Sequence, residues 1–178
     1  MDTTPPLRVK RNRLLRQHFF TSGQHFWEVE LLRAGGSGSG RSALVVGVAS
    51  SRSFESETLQ GPLASWASGG AVGYAATGAV IAGGREVHRA APYGRGDTVG
   101  VLLDMNLRRV AFFLNGKTQL AGQRTSKQRA GPHESGADCC VSWHPLVIDC
   151  LAVFPALTYC VGFEEVDVSM NLPLPPCN

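Results

Sequence analysis

Three groupings of residues in this 178-residue chain have types and spacings that could support chemistry. The first is the stretch from Gly35 to Ser42, Gly-Gly-Ser-Gly-Ser-Gly-Arg-Ser, one residue away from a GxxxxGK[ST] loop. Such a loop works because backbone amides and a helix N-terminus surround the phosphates while a lysine reaches the outer ones. Here Arg41 stands at the lysine position, and Ala43 to Ala49 (Ala-Leu-Val-Val-Gly-Val-Ala) reads as a strand, so no helix dipole would point at a ligand. A hairpin loop is the expectation. The second grouping is Cys139, Cys140, His144, Cys150 and Cys160. Zinc sites bring ligands in close pairs, whereas adjacent cysteines on a strand face opposite ways and the remaining gaps supply no clamp. These cysteines read as small buried hydrophobes. The third is Asp97 with Asp104. Seven strand residues span about 23 Å, far beyond the separation at which paired carboxylates share acid and base work. They read as turn residues at either end of one strand. The five histidines (18, 25, 88, 133 and 144) accompany no GxSxG elbow. No catalytic residue, metal or cofactor is therefore expected.

The elements around these residues are short strands. With 21 Gly and 10 Pro, about one residue in six breaks helices, and only 17% of the chain is charged. In residues 24–32, Phe26, Glu28 and Glu30 alternate with His25, Trp27, Val29 and Leu31, the pattern of a strand with one buried face. Further strands are expected at 43–49, around 71–76 and 79–87 with Gly78 and Gly83-Gly84 between them, at 97–104 and at 108–114. Asp104-Met-Asn106 reads as a turn, and Asn115-Gly116 as the tight hairpin turn into residues 117–120. Residues 121–138 are polar, and strands return at 145–153, 155–161 and 164–172. No window sustains a 3.6-residue period. The fold class read from this pattern is all-β, an antiparallel two-sheet sandwich.

Charge has a location. Five of the 17 cations (Arg8, Lys10, Arg11, Arg13, Arg16) and one of the 14 acids lie in the first twenty residues, which leaves a body of twelve against thirteen. A near-neutral body argues against a domain built around nucleic acid. The alternative function, a nucleic-acid-binding module, would rest on this basic N-terminal arm. The plainer reading is an edge strand with Leu7, Val9 and Leu14 packed beneath and its cations in solvent. The uncharged run from Thr58 to Gly84 holds seven glycines and Pro62, too breakable for a spanning helix. No apolar stretch follows the N-terminal charges, the cysteine count is odd, and no Asn-x-Ser/Thr acceptor occurs. A reduced, cytoplasmic protein without membrane contact is expected.

Four segments together resemble one family. Ser22-Gly-Gln-His-Phe-Trp-Glu-Val-Glu30 is similar to the opening SG-H-YWEVE of SPRY domains, and Leu44-Val-Val-Gly-Val-Ala49 to their next core strand. Gly96-Asp-Thr-Val-Gly-Val-Leu-Leu-Asp104 followed by Val110-Ala-Phe-Phe-Leu-Asn-Gly116 is similar to their GD…D and F-x-x-NG signature. Phe154-Pro-Ala156 through Val168-Ser-Met-Asn171 is similar to their closing strands. The likeness spans residues 20–172 in the family's order. It implies a bent antiparallel β-sandwich without catalysis, which binds a peptide or folded protein through loops at one end. Many such domains belong to tripartite-motif ubiquitin ligases or SOCS-box adaptors and choose the substrate, so ligase machinery outside this chain is an implied partner. The implied division is 1–20 as a basic arm or partial PRY segment and 21–174 as the SPRY domain, with a polar insertion at about 121–144. Within this frame, Trp27 is expected to be a buried anchor and Gly100 to admit a neighbouring chain closely.

The binding loops are expected at 50–66 and 88–95. Arg52, Phe54, Trp66 and Tyr93 carry the side-chain chemistry that dominates interfaces, and Cys160, Val161 and Gly162 join them by position. In SOCS-box members a Val-Trp-Gly loop contacts the peptide. Here Cys160-Val-Gly162 lacks the tryptophan, and the family's tyrosine has no counterpart in 50–60, so the Asn-rich peptide specificity of those members is not implied. Tyr74 and Trp66 also have the size and context of core residues.

Overall fold

The chain was studied as a computed structural model, which describes residues 6–9, 11–33, 44–50, 66, 70–119, 141–147, 152–159 and 166–172. These contain thirteen strands: β1 (Leu7–Val9), β2 (Arg11–Leu14), β3 (Gln24–Arg33), β4 (Leu44–Ala49), β5 (Ala71–Ala75), β6 (Ala79–Ala82), β7 (Arg85–Arg89), β8 (Thr98–Asp104), β9 (Arg109–Leu114), β10 (Lys117–Thr118), β11 (His144–Pro145), β12 (Phe154–Tyr159) and β13 (Val166–Asn171). Sheet A runs β1-β13-β3-β8-β9-β10, and β11 also pairs with β9. Sheet B runs β2-β12-β4-β5-β6-β7. Every pairing is antiparallel. The fold is the all-β sandwich that the strand pattern implies.

Period-2 alternation decides which side chains meet between the sheets. On β3, Trp27, Val29 and Leu31 are buried while Phe26 and Glu30 face outward. They join Leu44, Val46, Val48, Val72, Tyr74, Val99, Val101, Leu103, Val110, Phe112, Leu157 and Val168 in one core. Trp27 is the anchor its size suggested, with its ring stacked on Phe20 at 5.4 Å.

The hairpins follow local turn chemistry. Asp104 ends β8 and its carboxylate accepts the backbone N–H groups of Asn106 and Leu107 at 3.1 and 3.0 Å, which closes an Asx-type turn. Asn115 and Gly116 both have positive φ (49° and 76°), and Lys117 pairs with Leu114 around them. This is the two-residue turn whose twist matches a hairpin.

The basic N-terminal segment is woven into both sheets. Val9 pairs with Val166 at the edge of sheet A, and Arg11 pairs with Tyr159 at the edge of sheet B. Val9 and Leu14 are buried, and Arg8 places its guanidinium 3.3 Å from the Asp167 carboxylate.

Two expectations need correction. Residues 145–153 do not form one strand: His144 and Pro145 pair with Val110 and Arg109, and Val153 returns as an isolated bridge to Phe20. Pro145 has no N–H to extend a ladder, which confines it to a strand end. At Gly100, the neighbour that comes close is a side chain rather than a backbone. A Cβ there would lie 3.0 Å from the Phe26 ring.

Candidate partner-binding surface

Strand register defines two ends within each sheet, and the 93–97 turn, bonded to Leu44 and Ala76 just before Thr98, matches them. At one end lie Arg33, Leu44, Ala75, Thr98, Leu114 and Tyr159; at the other lie Gln24, Ala49, Ala71, Asp104, Arg109 and Phe154. Chain leaving β4 toward Arg52 and Phe54 departs from the Ala49 end. Chain leaving β12 toward Cys160, Val161 and Gly162 departs from the Tyr159 end. The end of one six-residue strand is roughly 17 Å from its start, so Ala49 and Tyr159 lie at opposite ends of sheet B. Arg52, Phe54, Cys160, Val161 and Gly162 themselves lie outside the described residues.

Trp66 and Tyr93 are described, and both are buried. Trp66 lies over the face of sheet B that points away from the core. Its indole N–H donates to the Thr158 hydroxyl at 3.0 Å, and a Cβ on Gly73 would sit 2.9 Å from its ring. Leu14, Val45, Ala49, Ala71, Ala75, Ile81 and Ala156 form a second apolar cluster with it. Tyr93 lies on the other side of that sheet. Its hydroxyl donates toward the carbonyls of Leu44 (3.1 Å) and Tyr74 (2.8 Å), and its ring meets Tyr74 edge-on at 5.0 Å. Burial, with the neighbouring Tyr74, holds its pKa well above the usual tyrosine value. In this conformation neither side chain presents a surface to a partner. Tyr74, buried as its context suggested, donates its hydroxyl to the Ala91 carbonyl.

Around Tyr93 the turn is locked by one carboxylate. Asp97 accepts the Gly94 N–H at 2.8 Å and the Asn115 side-chain N–H at 2.9 Å, while Asn115 Oδ1 accepts the Thr98 N–H at 2.9 Å. The Asn115 bond, then the Gly94 bond, hold the Asp97 pKa below its ordinary value. Asp104 does the same at the other end, its pKa lowered first by the Leu107 N–H and further by Gln24 and Arg109. Both aspartates are turn residues, as their separation required.

The outward face of sheet A carries the surface that the sequence did not single out. Registers align Gln24, Asp104 and Arg109 in one row, Phe26, Leu102 and Ala111 in the next, and Glu28, Gly100 and Phe113 in a third. Phe26 is 48% exposed and meets Phe113 edge-on at 5.9 Å across the gap that Gly100 leaves. Arg109 lies 4.0 Å over the ring of half-buried Trp143, and its Nε is 3.4 Å from Asp104. Gln24 donates to the same carboxylate at 3.1 Å. Two phenylalanines, a tryptophan and an arginine thus sit on a rigid sheet, the residue types that anchor interfaces. One signal was in the sequence: Phe26 is the apolar member of the polar side of β3. Trp143 carried none, because only the pairing of β11 with β9 brings it to Arg109. Among the described residues no group of three or more His, Cys, Asp or Glu side chains could hold a metal ion. No helix among them is long and apolar enough to cross a membrane.

Two antiparallel sheets packed face to face define the class of β-sandwich domains. A family model described as "SPRY domain" matches residues 24–131, more than half of the chain, and the chain belongs to the SPRY family. SPRY domains are protein-protein interaction modules and are generally non-catalytic. The SPRY domain of human HERC1 superposes with a TM-score of 0.61 over 96% of this chain and 87% of its own, at 14% identity. The TRIM65 PSpry domain superposes with a TM-score of 0.53 over 88% of this chain and 68% of its own, at 12% identity. These likenesses are of fold. No curated protein matches the chain at a significant level.

Proposed function

We propose that this chain is a non-catalytic cytoplasmic module that captures a protein partner, as a peptide or a folded surface, and selects it as a substrate for a ubiquitin ligase. The observation that carries the reading is the exposed Phe26 packed on half-buried Phe113 beside the Arg109–Trp143 stack on the same sheet. Aromatic side chains held in one rotamer lose little entropy on binding, and a guanidinium already stacked on an indole is pre-oriented for a carboxylate or carbonyl. Arg52 and Phe54 are the companion loop contacts, because β4 delivers them from the end where Asp104 and Arg109 lie. Cys160, Val161 and Gly162 leave from the far end and form a separate, second contact in this reading. The ligase role is supported by membership of the SPRY family.

The test is capture from cytosolic extract followed by mass spectrometry, with wild type, Phe26→Ser/Arg109→Ala, Arg52→Ala/Phe54→Ala and Val161→Asp compared at equal folded fraction. The face variant should lose the wild-type partner at least tenfold. Undiminished capture by a folded face variant would assign recognition to the loops alone. A nucleic-acid module would instead lose binding steeply between low and physiological salt and show RNA in the captured fraction.

A further inference from the structure

His88 on β7 and His144 on β11 come from opposite sheets and meet at the rim of the core. Their ring centroids are 5.4 Å apart with planes at 69°. They are 9% and 8% exposed. His144 also packs on Phe112 at 6.0 Å, and Nε2 of His88 is buried without a hydrogen-bond partner. Fifty-six residues separate the two in the chain, so the contact exists only because the sheets face each other.

The surroundings favour neutral rings. On β7, Glu86 is the acid that acts on His88, and its carboxylate is held by Arg89 at 2.6 Å. β6 sets Val80 opposite His88, and β9 sets Val110 opposite His144. Arg109, opposite Pro145, points its guanidinium at Trp143 and Asp104. Among the described residues neither imidazole has an ion pair with a carboxylate. Burial, and then the positive charge His88 would carry, lower the His144 pKa to about 4; burial also lowers that of His88, with Glu86 opposing. A second charge placed beside the first in a dry site is strongly disfavoured.

Among the described residues few backbone bonds hold the same segment. β11 is two residues long, its Pro145 donates nothing, and beyond it the Leu146 N–H donates to the Arg108 carbonyl (2.9 Å) while the Leu146 side chain is buried in the core. Trp143, the residue before β11, is the one stacked on Arg109.

We propose that the His88–His144 contact is an acid-sensitive latch: neutral rings keep β11 and Trp143 against β9, and protonation releases them and dismantles the Arg109–Trp143 end of the recognition face. The consequence for capture rests on the function proposed above; the latch itself does not.

The experiment follows the amide exchange of Leu146, corrected for the intrinsic pH dependence of exchange, from pH 7.5 to 4.5 in wild type and His144→Phe. Protection of Leu146 should fall at least tenfold between pH 6.5 and 4.5 in wild type and stay well below that of Leu103 in the core throughout, the mark of a local opening. It should stay flat in His144→Phe. An equal acid loss in the variant overturns the latch. Should the variant not fold, the His144 ring signals of the wild type decide. Titration in step with the loss of protection supports the latch, and titration near 6.5 with protection unchanged overturns it. Capture of the partner identified above is measured on the same samples at pH 7.5 and 5. Latch opening with undiminished capture sinks the face reading and leaves the latch standing. Capture lost while Leu146 stays protected sinks the latch as a regulator.

Discussion

The ring of Phe26 occupies the space that a side chain at position 100 would take: a Cβ on Gly100 would stand 3.0 Å from two of its carbons and 3.1 Å from Cβ of Phe113. A glycine in the middle of a central strand weakens the strand, yet here it lets the exposed Phe26 meet half-buried Phe113 edge to face on the outward side of the sheet. The absence of a side chain at one position sets the orientation of another.

Gly100→Ala is therefore expected to displace the Phe26 ring rather than unfold the protein. The edge-to-face contact is worth about 0.5–1.5 kcal/mol, and the half-exposed ring has solvent to move into, so stability should fall by no more than about 1.5 kcal/mol. Partner affinity should fall more than stability does. Aromatic cross-peaks between Phe26 and Phe113 that survive the substitution would contradict this account.

Trp66 gives the opposite split. Truncating a fully buried indole costs about 3–5 kcal/mol, and Trp66→Ala should lower the unfolding temperature by roughly 10 °C on the scale of a domain this size. Thr158→Val should cost about 1–3 kcal/mol, because it removes the buried hydroxyl to which the indole N–H donates. Calorimetry measures both. An unchanged unfolding temperature in Trp66→Ala, with capture lost, would restore Trp66 as a contact residue.

At the Asn115 turn, backbone and side chain can be separated. Asn115 has φ of 49° and joins Thr98 to Asp97 by two hydrogen bonds. Asn115→Ala loses the bonds and strains the turn, at about 1–3 kcal/mol. Asn115→Gly relieves the strain and should recover part of that loss. Denaturant midpoints for the three proteins should rank Asn, Gly, Ala; equal midpoints for Gly and Ala would mean that the turn is not under conformational constraint.

Acid should reduce stability in two ranges. Asp97 and Asp104 have folded pKa values below their ordinary 3.8. Their contribution is present above that value and is lost as pH falls below it through the folded values. His144, lowered from 6.5 to about 4, is neutral in both states above 6.5 and withdraws stability as pH falls from 6.5 to 4, where the unfolded chain binds the proton first. Urea midpoints measured from pH 7.5 to 2.5 should show both declines. Asp97→Asn should flatten only the lower one, and a flattened upper range in that variant would show that the assignment is wrong.

Much of the fold was legible from local pattern. Alternation over β3, the Asx turn at Asp104 and the Asn115-Gly116 hairpin are encoded within a few residues, and each formed as its chemistry required. The strand expected at 145–153 failed at Pro145, where a missing N–H outweighed an apolar run. The candidate loop residues Trp66 and Tyr93 were chosen for hot-spot chemistry, which is also core chemistry. An indole or phenol looks the same in sequence whether it faces a partner or a sheet.

By itself the sequence determined most of the strands, the turns, the neutrality of the body and the family, because period, turn residues and motif order are properties of neighbouring positions. Tertiary structure alone decided that Trp66 covers the outward side of sheet B, that Arg109 stacks on Trp143 and that His88 faces His144. Each of these depends on pairing between strands distant in the chain. The free energy of such pairing comes from excluding water across two whole sheets, and no short stretch of residues contains it.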